Sequence, residues 1–241
     1  MIDLNNVKGV IFDYGATIDS NGKHWAEVLW DAYVDNNIPV TKEAFRDAYV
    51  YGERYLALHP VVKPDFTFKD VLEAKTKLQV EWLIENKFLT QSDKTSQYSL
   101  VVSNQCYNFV RFVLENAIPI IQELKQKYPL VLVSNFYGNI ETVLADFGLS
   151  SYFDKIIESA VVNVRKPDPA IFDLGIKALN LRPEEVVVVG DSYAKDIVPA
   201  RTIGCKTVWL KGPAWEDDKP NSTADAIIYD FKELREIFKL S

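Results

Sequence analysis

Short apolar runs punctuate this chain, and between them lie longer stretches in which apolar residues recur at helical spacing. The runs over 7–12, 130–133, 155–157, 186–189, 207–210 and 226–229 are rich in Val, Ile and Leu, which reads as strands buried on both faces. From about residue 117 onward they alternate with helical patterns, so a parallel sheet with helices on both faces is predicted. The stretch over 18–105 is different. It carries four helical stripes, namely Trp25, Leu29 and Ala32; Phe45, Tyr49, Gly52 and Leu56; Val71, Ala74, Leu78 and Trp82; and Tyr98, Val102, Cys106 and Phe109. A helical insertion directly after the first strand follows, with the stripes as its own core. Breaks at Asn36-Asn37-Ile38-Pro39, His59-Pro60, Lys63-Pro64-Asp65 and Gln91-Ser92-Asp93 carry turn chemistry, and Thr41 and Ser96 are expected N-caps.

Composition narrows the classes. The 241 residues, 48% of them hydrophobic, suffice for one large domain or a core with a smaller companion. A formal net charge of −7 argues against nucleic-acid or anionic-membrane binding, which need a basic footprint, and suits a cation instead. No basic, apolar and small-residue leader and no apolar run of spanning length is present, so a soluble cytoplasmic protein is expected. Cys106 and Cys205 stand far apart; they predict buried free thiols and offer no zinc-like spacing. Nothing in the pattern calls for an obligate protein partner.

Chemistry gathers where strands end. The first run stops at Asp13, and Gly15-Ala16 turns the chain, which puts a carboxylate at the edge where open α/β sheets hold their ligands. The second run ends at Ser134-Asn135, just before a helical stretch beginning near Asn139, a place that offers donors to an anion. Arg165-Lys166-Pro167-Asp168-Pro169 sets a cation before another helix, with prolines suited to its first turn. The run over 186–189 leads into Gly190-Asp191, and Asp196 follows. Taken singly, these are turn, cap and surface residues. Around one rim, carboxylates would repel one another and a phosphate, so a hard divalent cation is implied, and that cation with Lys166 makes a site for a dianion.

The order Asp13-Tyr14-Gly15-Ala16-Thr17, Ser134-Asn135, Lys166-Pro167-Asp168-Pro169 and Gly190-Asp191 with Asp196 resembles the haloacid-dehalogenase-like superfamily, in its branch with a helical cap inserted after the first core strand. The resemblance covers essentially the whole chain. It implies an α/β fold: a Rossmann-like parallel sheet core over 1–17 and 112–241 and an all-helical cap over 18–111. It further implies a Mg²⁺-dependent phosphohydrolase of a small phosphorylated metabolite, with Asp13 as nucleophile and an aspartyl-phosphate intermediate. Asp13, Asp191 and the carbonyl of Gly15 would hold the metal and Asp196 would order that shell, while Ser134, Asn135 and Lys166 would hold the phosphoryl oxygens. The chain departs from the family at Gly15, where its phosphatases carry an acid/base Asp. General acid–base catalysis is worth roughly 10²–10⁴-fold, so a substitute is expected, either ordered water or His24 at the start of the cap. Two alternatives stay open. One is carbon–phosphorus cleavage resembling that of phosphonoacetaldehyde hydrolases, which need a cap lysine; the other is a catalytically weak or silent phosphate-ligand binder.

Overall fold

The computed structural model describes residues 2–213 and 223–240, so residues 1, 214–222 and 241 of the expected core lie outside the described residues. Strands β1 (Gly9–Phe12), β2 (Leu130–Ser134), β3 (Lys155–Glu158), β4 (Val186–Gly190), β5 (Lys206–Leu210) and β6 (Ala226–Ile228) form one sheet in the order β3-β2-β1-β4-β5-β6. Every neighbouring pair is parallel. The expected strands are all present, and the α/β core takes the predicted form.

Side-chain alternation explains why these runs are apolar throughout. Val10, Phe12, Leu132, Val187 and Val189 face one layer, packed with Ile121 and Leu124 from helix α4 (Thr95–Lys127). Ile11, Val131, Val133, Val186 and Val188 face the other, against Ile171, Phe172 and Ile176. Those three residues belong to a later helix, 170–179. With both faces covered, the central strands β1, β2 and β4 carry no polar side chain until they end. Chemistry is thereby confined to the carboxyl edge.

The insertion after β1 is helical, with α1 (Trp25–Asp35), α2 (Lys42–Leu58), α3 (Phe68–Glu85) and the first part of α4. Thr41 caps α2 by accepting from Ala44 N, as expected. Three expectations are corrected. Ser96 is not an N-cap: α4 begins at Thr95, and the Ser96 hydroxyl bonds back to Asp93 O. The buried face of α3 is rotated from the stripe of Ala74, Leu78 and Trp82 to Val71, Leu72, Lys75, Thr76, Gln79 and Leu83, because polar residues on it meet partners in α2 and the core. The prolines after Lys166 lie ahead of their helix rather than in its first turn, with Pro169 at the cap position. Helix α4 runs unbroken through residues 111 and 112, serving the insertion with its first half and the sheet with its second. Both cysteines are buried free thiols. Among the described residues no helix is long and apolar enough to cross a membrane.

The doubly covered sheet makes a stability prediction. Leu132→Ala, at a side chain with no exposure, should lower the unfolding free energy in urea by about 2–5 kcal/mol. Val34→Ala, at an exposed position of α1, should change it by less than about 0.5 kcal/mol.

Candidate active site

The central strands β2, β1 and β4 lie side by side, so their carboxyl ends converge at the point where the chain switches from one side of β1 to the other. Asp13 leaves β1 there. Asp191 follows β4, and Asp196 stands in the single π-helical turn Tyr193–Ile197, opened by Ser192. Carboxylate oxygens of Asp13, Asp191 and Asp196 lie within 4.8 Å of one another. Lys166 reaches into this group, its Nζ 2.5 Å from Asp13 Oδ1 and 2.7 Å from Asp196 Oδ1. The lysine side chain is 2% exposed, so this is an ammonium taken out of water into a cage of carboxylates.

Neighbouring groups hold each member in place. Asn135 clasps the backbone of Lys166 from both sides, accepting from its N–H and donating to its carbonyl, each at 3.0 Å. Its amide is therefore committed to positioning Lys166. Ser134 ends β2 with 1% exposure, on the strand adjacent to β1, from which Asp13 leaves. Asp196 Oδ2 accepts from Ser192 N at 3.0 Å. Gly190 is obligatory for a steric reason: a Cβ there would lie 2.5 Å from the Cβ and Cγ of Asp196, and Asp196 would have to withdraw. A residue not singled out from sequence completes the cluster. The Thr17 hydroxyl lies 3.0 Å from Asp13 Oδ2 and 3.1 Å from Asp191 Oδ1, and it accepts from Asp191 N. Having one proton, it donates to one carboxylate at a time.

Electrostatics follow from this crowding. Burial pushes the Asp13 carboxyl up to about 6, against the pull of Lys166 and helped by the charge of Asp196. Burial together with the charges of Asp196 and Asp13 drives Asp191 well above the usual carboxylate range. Burial opposes the charge of Lys166, but Asp13 and Asp196 outweigh it and hold the ammonium above its ordinary value. Carboxylates that resist ionising together are a site short of positive charge, which is the setting a divalent cation would satisfy.

The remaining sequence candidates fall differently. Gly15 lies in the turn after β1, and a Cβ built on it meets nothing within 4 Å. His24 is the N-cap of α1, its Nδ1 accepting from Ala26 N at 3.2 Å, with its ring 6.1 Å from that of Tyr49. Burial and then the charge of Lys195 lower its pKa, so the imidazole is neutral near neutral pH. The donors expected at the helix after Ser134 are not open to a ligand. In α5 (Ile140–Asp146) the N–H groups of Asn139 and Ile140 already bond to Glu158. Asp19, unremarked as a site from sequence, is fully buried, accepting from Ala16 N at 2.7 Å and from the Trp25 indole at 2.9 Å. It ties the turn that follows Asp13 to the first helix of the insertion, and burial raises its pKa to about 7.

Comparison with known proteins agrees with this geometry. The chain is similar to the glyceraldehyde 3-phosphate phosphatase of Pyrococcus furiosus, 36% identical over 93 residues that cover 38% of this chain and 39% of that protein. It is also similar to the phosphoserine phosphatase of Thermus thermophilus, 35% identical over 106 residues, 44% of this chain and 42% of that one. Each matched stretch thus spans about two fifths of the curated relative's length. Among solved structures, a HAD-hydrolase from Bacillus subtilis bound to magnesium shares the fold, with a TM-score of 0.59 and 19% identity, over 96% of this chain and 98% of that one. A family model described as haloacid dehalogenase-like hydrolase matches residues 7–204. That span runs from the first strand to the helix beyond Asp196 and takes in every member of the carboxylate and lysine cluster: the chain belongs to the haloacid dehalogenase-like hydrolase family.

Proposed function

We propose that this protein is a phosphohydrolase of small phosphorylated metabolites that passes a phosphoryl group to Asp13 and then to water. The observation that carries the reading is the bridge of Lys166 between Asp13 and Asp196, with Asp191 in the same cluster. An ammonium so placed can turn from Asp13 to the oxygens of an arriving phosphoryl group and absorb their charge as the transition state forms. An oxygen of Asp13 then bonds to phosphorus as the ester bond to the leaving oxygen breaks. Water later cleaves the acyl phosphate, releasing phosphate and restoring the Asp13 carboxylate. The names of the curated relatives, phosphatases of glyceraldehyde 3-phosphate and of phosphoserine, support a small phosphate ester as substrate.

Asp13, Asp191 and Asp196 fit a divalent cation, because their oxygens converge and two of the three carboxyls resist ionising without one. The carbonyl of Gly15 is the expected further ligand beside Asp13 and Asp191, with Asp196 ordering that shell. Mg²⁺ bound there would supply positive charge against the combined charge of carboxylates and phosphate. With no side chain at Gly15, the leaving oxygen takes its proton from ordered water or from the insertion, which acts as a cap. His24 is the candidate in that cap, and since its Nδ1 caps α1, any proton it handles moves through Nε2. The carbon–phosphorus alternative gains no support. Lys75, the one buried lysine in the insertion among the described residues, is paired with Glu53 at 2.6 Å and held protonated by it, whereas imine formation needs a neutral amine. The two buried thiols suit a reducing, cytoplasmic setting.

Steady-state assays of phosphate esters with Mg²⁺ test the reading. Hydrolysis should vanish with a chelator, and Asp13→Asn and Lys166→Met should each lower kcat/KM by at least about 10²-fold with native circular dichroism retained. Gly15→Asp, at a position with room for the side chain, should raise turnover of alkyl phosphates about 10-fold or more. His24→Ala should lower kcat if the ring delivers the proton, and full activity would remove it from that role. No turnover of any ester, with none created by Gly15→Asp, contradicts the proposal.

A further inference from the structure

The cap buries an ion pair that phosphoryl transfer does not use. Lys75, 9% exposed, lies on the inner face of α3 with Nζ 2.6 Å from Glu53 Oε1 on α2. Glu53 Oε2 accepts from the Tyr137 hydroxyl at 2.9 Å, and the Lys75 ammonium sits 5.6 Å from the Tyr137 ring centre. Tyr137 is in the loop that leaves β2 just after Ser134 and Asn135, so the pair is anchored beside the carboxylate cluster. Tyr49, one turn before Glu53 on α2, feels the charges of Glu53, Lys75 and Asp191 together. His24 feels Glu53, Lys75 and Lys195. Through Tyr137, three residues beyond the end of β2, the pair is tied to the carboxyl edge of the sheet where Asp13 and Asp191 stand.

Folding alone gives little reason for it, since apolar residues of similar volume in place of a buried ion pair are often neutral or stabilising. The pair is also unsaturated. Glu53 Oε1 is buried and, apart from its ion pair with Lys75, meets no donor among the described residues. An ammonium has three donors, and Glu53 and Tyr137 take at most two of Lys75's. What completes such a pair is a group that donates to Glu53 and accepts from Lys75 at once, and a hydroxyl does both. A carboxylate only accepts, and it would set a second negative charge beside Glu53. A bare hydrocarbon does neither.

We infer that Lys75 and Glu53 form the subsite for the substrate's leaving group and select a hydroxyl-bearing one, a polyol or sugar phosphate, over a carboxylate or an unsubstituted alkyl phosphate. This rests on the phosphohydrolase reading. The test is calorimetric binding to Asp13→Asn protein in Mg²⁺, which reports affinity without turnover, using glycerol 3-phosphate, 3-phosphoglycerate and propyl phosphate. The three share a three-carbon skeleton and differ in the groups the pair would meet. Glycerol 3-phosphate should bind about 10-fold tighter than either of the others. Lys75→Met should bring it down to the level of propyl phosphate. Glu53→Gln, close in size and able to keep a hydrogen bond to Tyr137 while leaving the Lys75 ammonium without its counter-charge, should bring 3-phosphoglycerate to within about 3-fold of glycerol 3-phosphate by removing the opposing charge, and it decides alone if Lys75→Met does not fold. Equal binding of all three, tightest binding of 3-phosphoglycerate, or a preference unmoved by Glu53→Gln overturns the inference. Wild-type turnover of glycerol 3-phosphate reports separately: selective binding without turnover would sink the phosphohydrolase reading and keep the subsite, and turnover without selectivity would do the reverse.

Discussion

One buried ammonium organises this molecule's chemistry. Burial makes Asp13 and Asp191 resist ionising beside Asp196, and Lys166, between Asp13 and Asp196, provides the only positive side chain in direct contact with the cluster among the described residues. Much of the surrounding structure serves that contact. The strand order brings the ends of β1, β2 and β4 together, Asn135 clamps the Lys166 backbone, and the absent side chain of Gly190 lets Asp196 close in. A pair this deeply buried adds little to stability over an apolar replacement. Under the proposed function, its value lies in having charge preorganised for a phosphoryl dianion, so that little reorganisation is needed during reaction.

The helical insertion bears on the same point. Asp19 links the turn after Asp13 to Trp25 in α1. In the loop after β2, Tyr137 donates to Glu53 and Asn139 donates to Phe66 O at 2.8 Å, and in α5 Thr142 donates to Pro64 O at 2.6 Å. The insertion is thus fastened to two of the loops that carry the chemistry, and α4 continues from it into the core as one rod. A shift of the insertion would be felt at Asp13 and Ser134 through these bonds, which under the proposed function would couple substrate recognition to catalysis.

Much of this was legible from the chain because strands buried on both faces admit polar residues only at their ends. Asp13, Ser134 and Asp191 stand out for that reason, and the helical periodicity of the insertion was equally plain. What escaped reading were residues whose roles depend on partners distant in sequence. Thr17 matters because Asp191 is brought to it across the sheet, and the carboxylate of Glu158 fills the start of α5 where an anion site was expected. The face of α3 was misread because Lys75, Thr76 and Gln79 look like solvent positions; Lys75 is buried only because Glu53 and Tyr137 meet it there. A polar residue at helical spacing with buried neighbours is the signal that was available. Gly15, by contrast, was visible at once, and the open space around it fits a position emptied of a side chain rather than one closed to it.

In the proposed reaction Asp13 gives the oxygen that bonds to phosphorus. Acid quenching of the Mg²⁺-loaded protein during turnover of a phosphate ester, followed by mass spectrometry of the peptide carrying Asp13, tests this directly. Phosphorylation of Asp13, absent in Asp13→Asn, is the predicted result. Turnover with no acyl phosphate trapped at Asp13 under any quench time, or with full activity retained in Asp13→Asn, would contradict it.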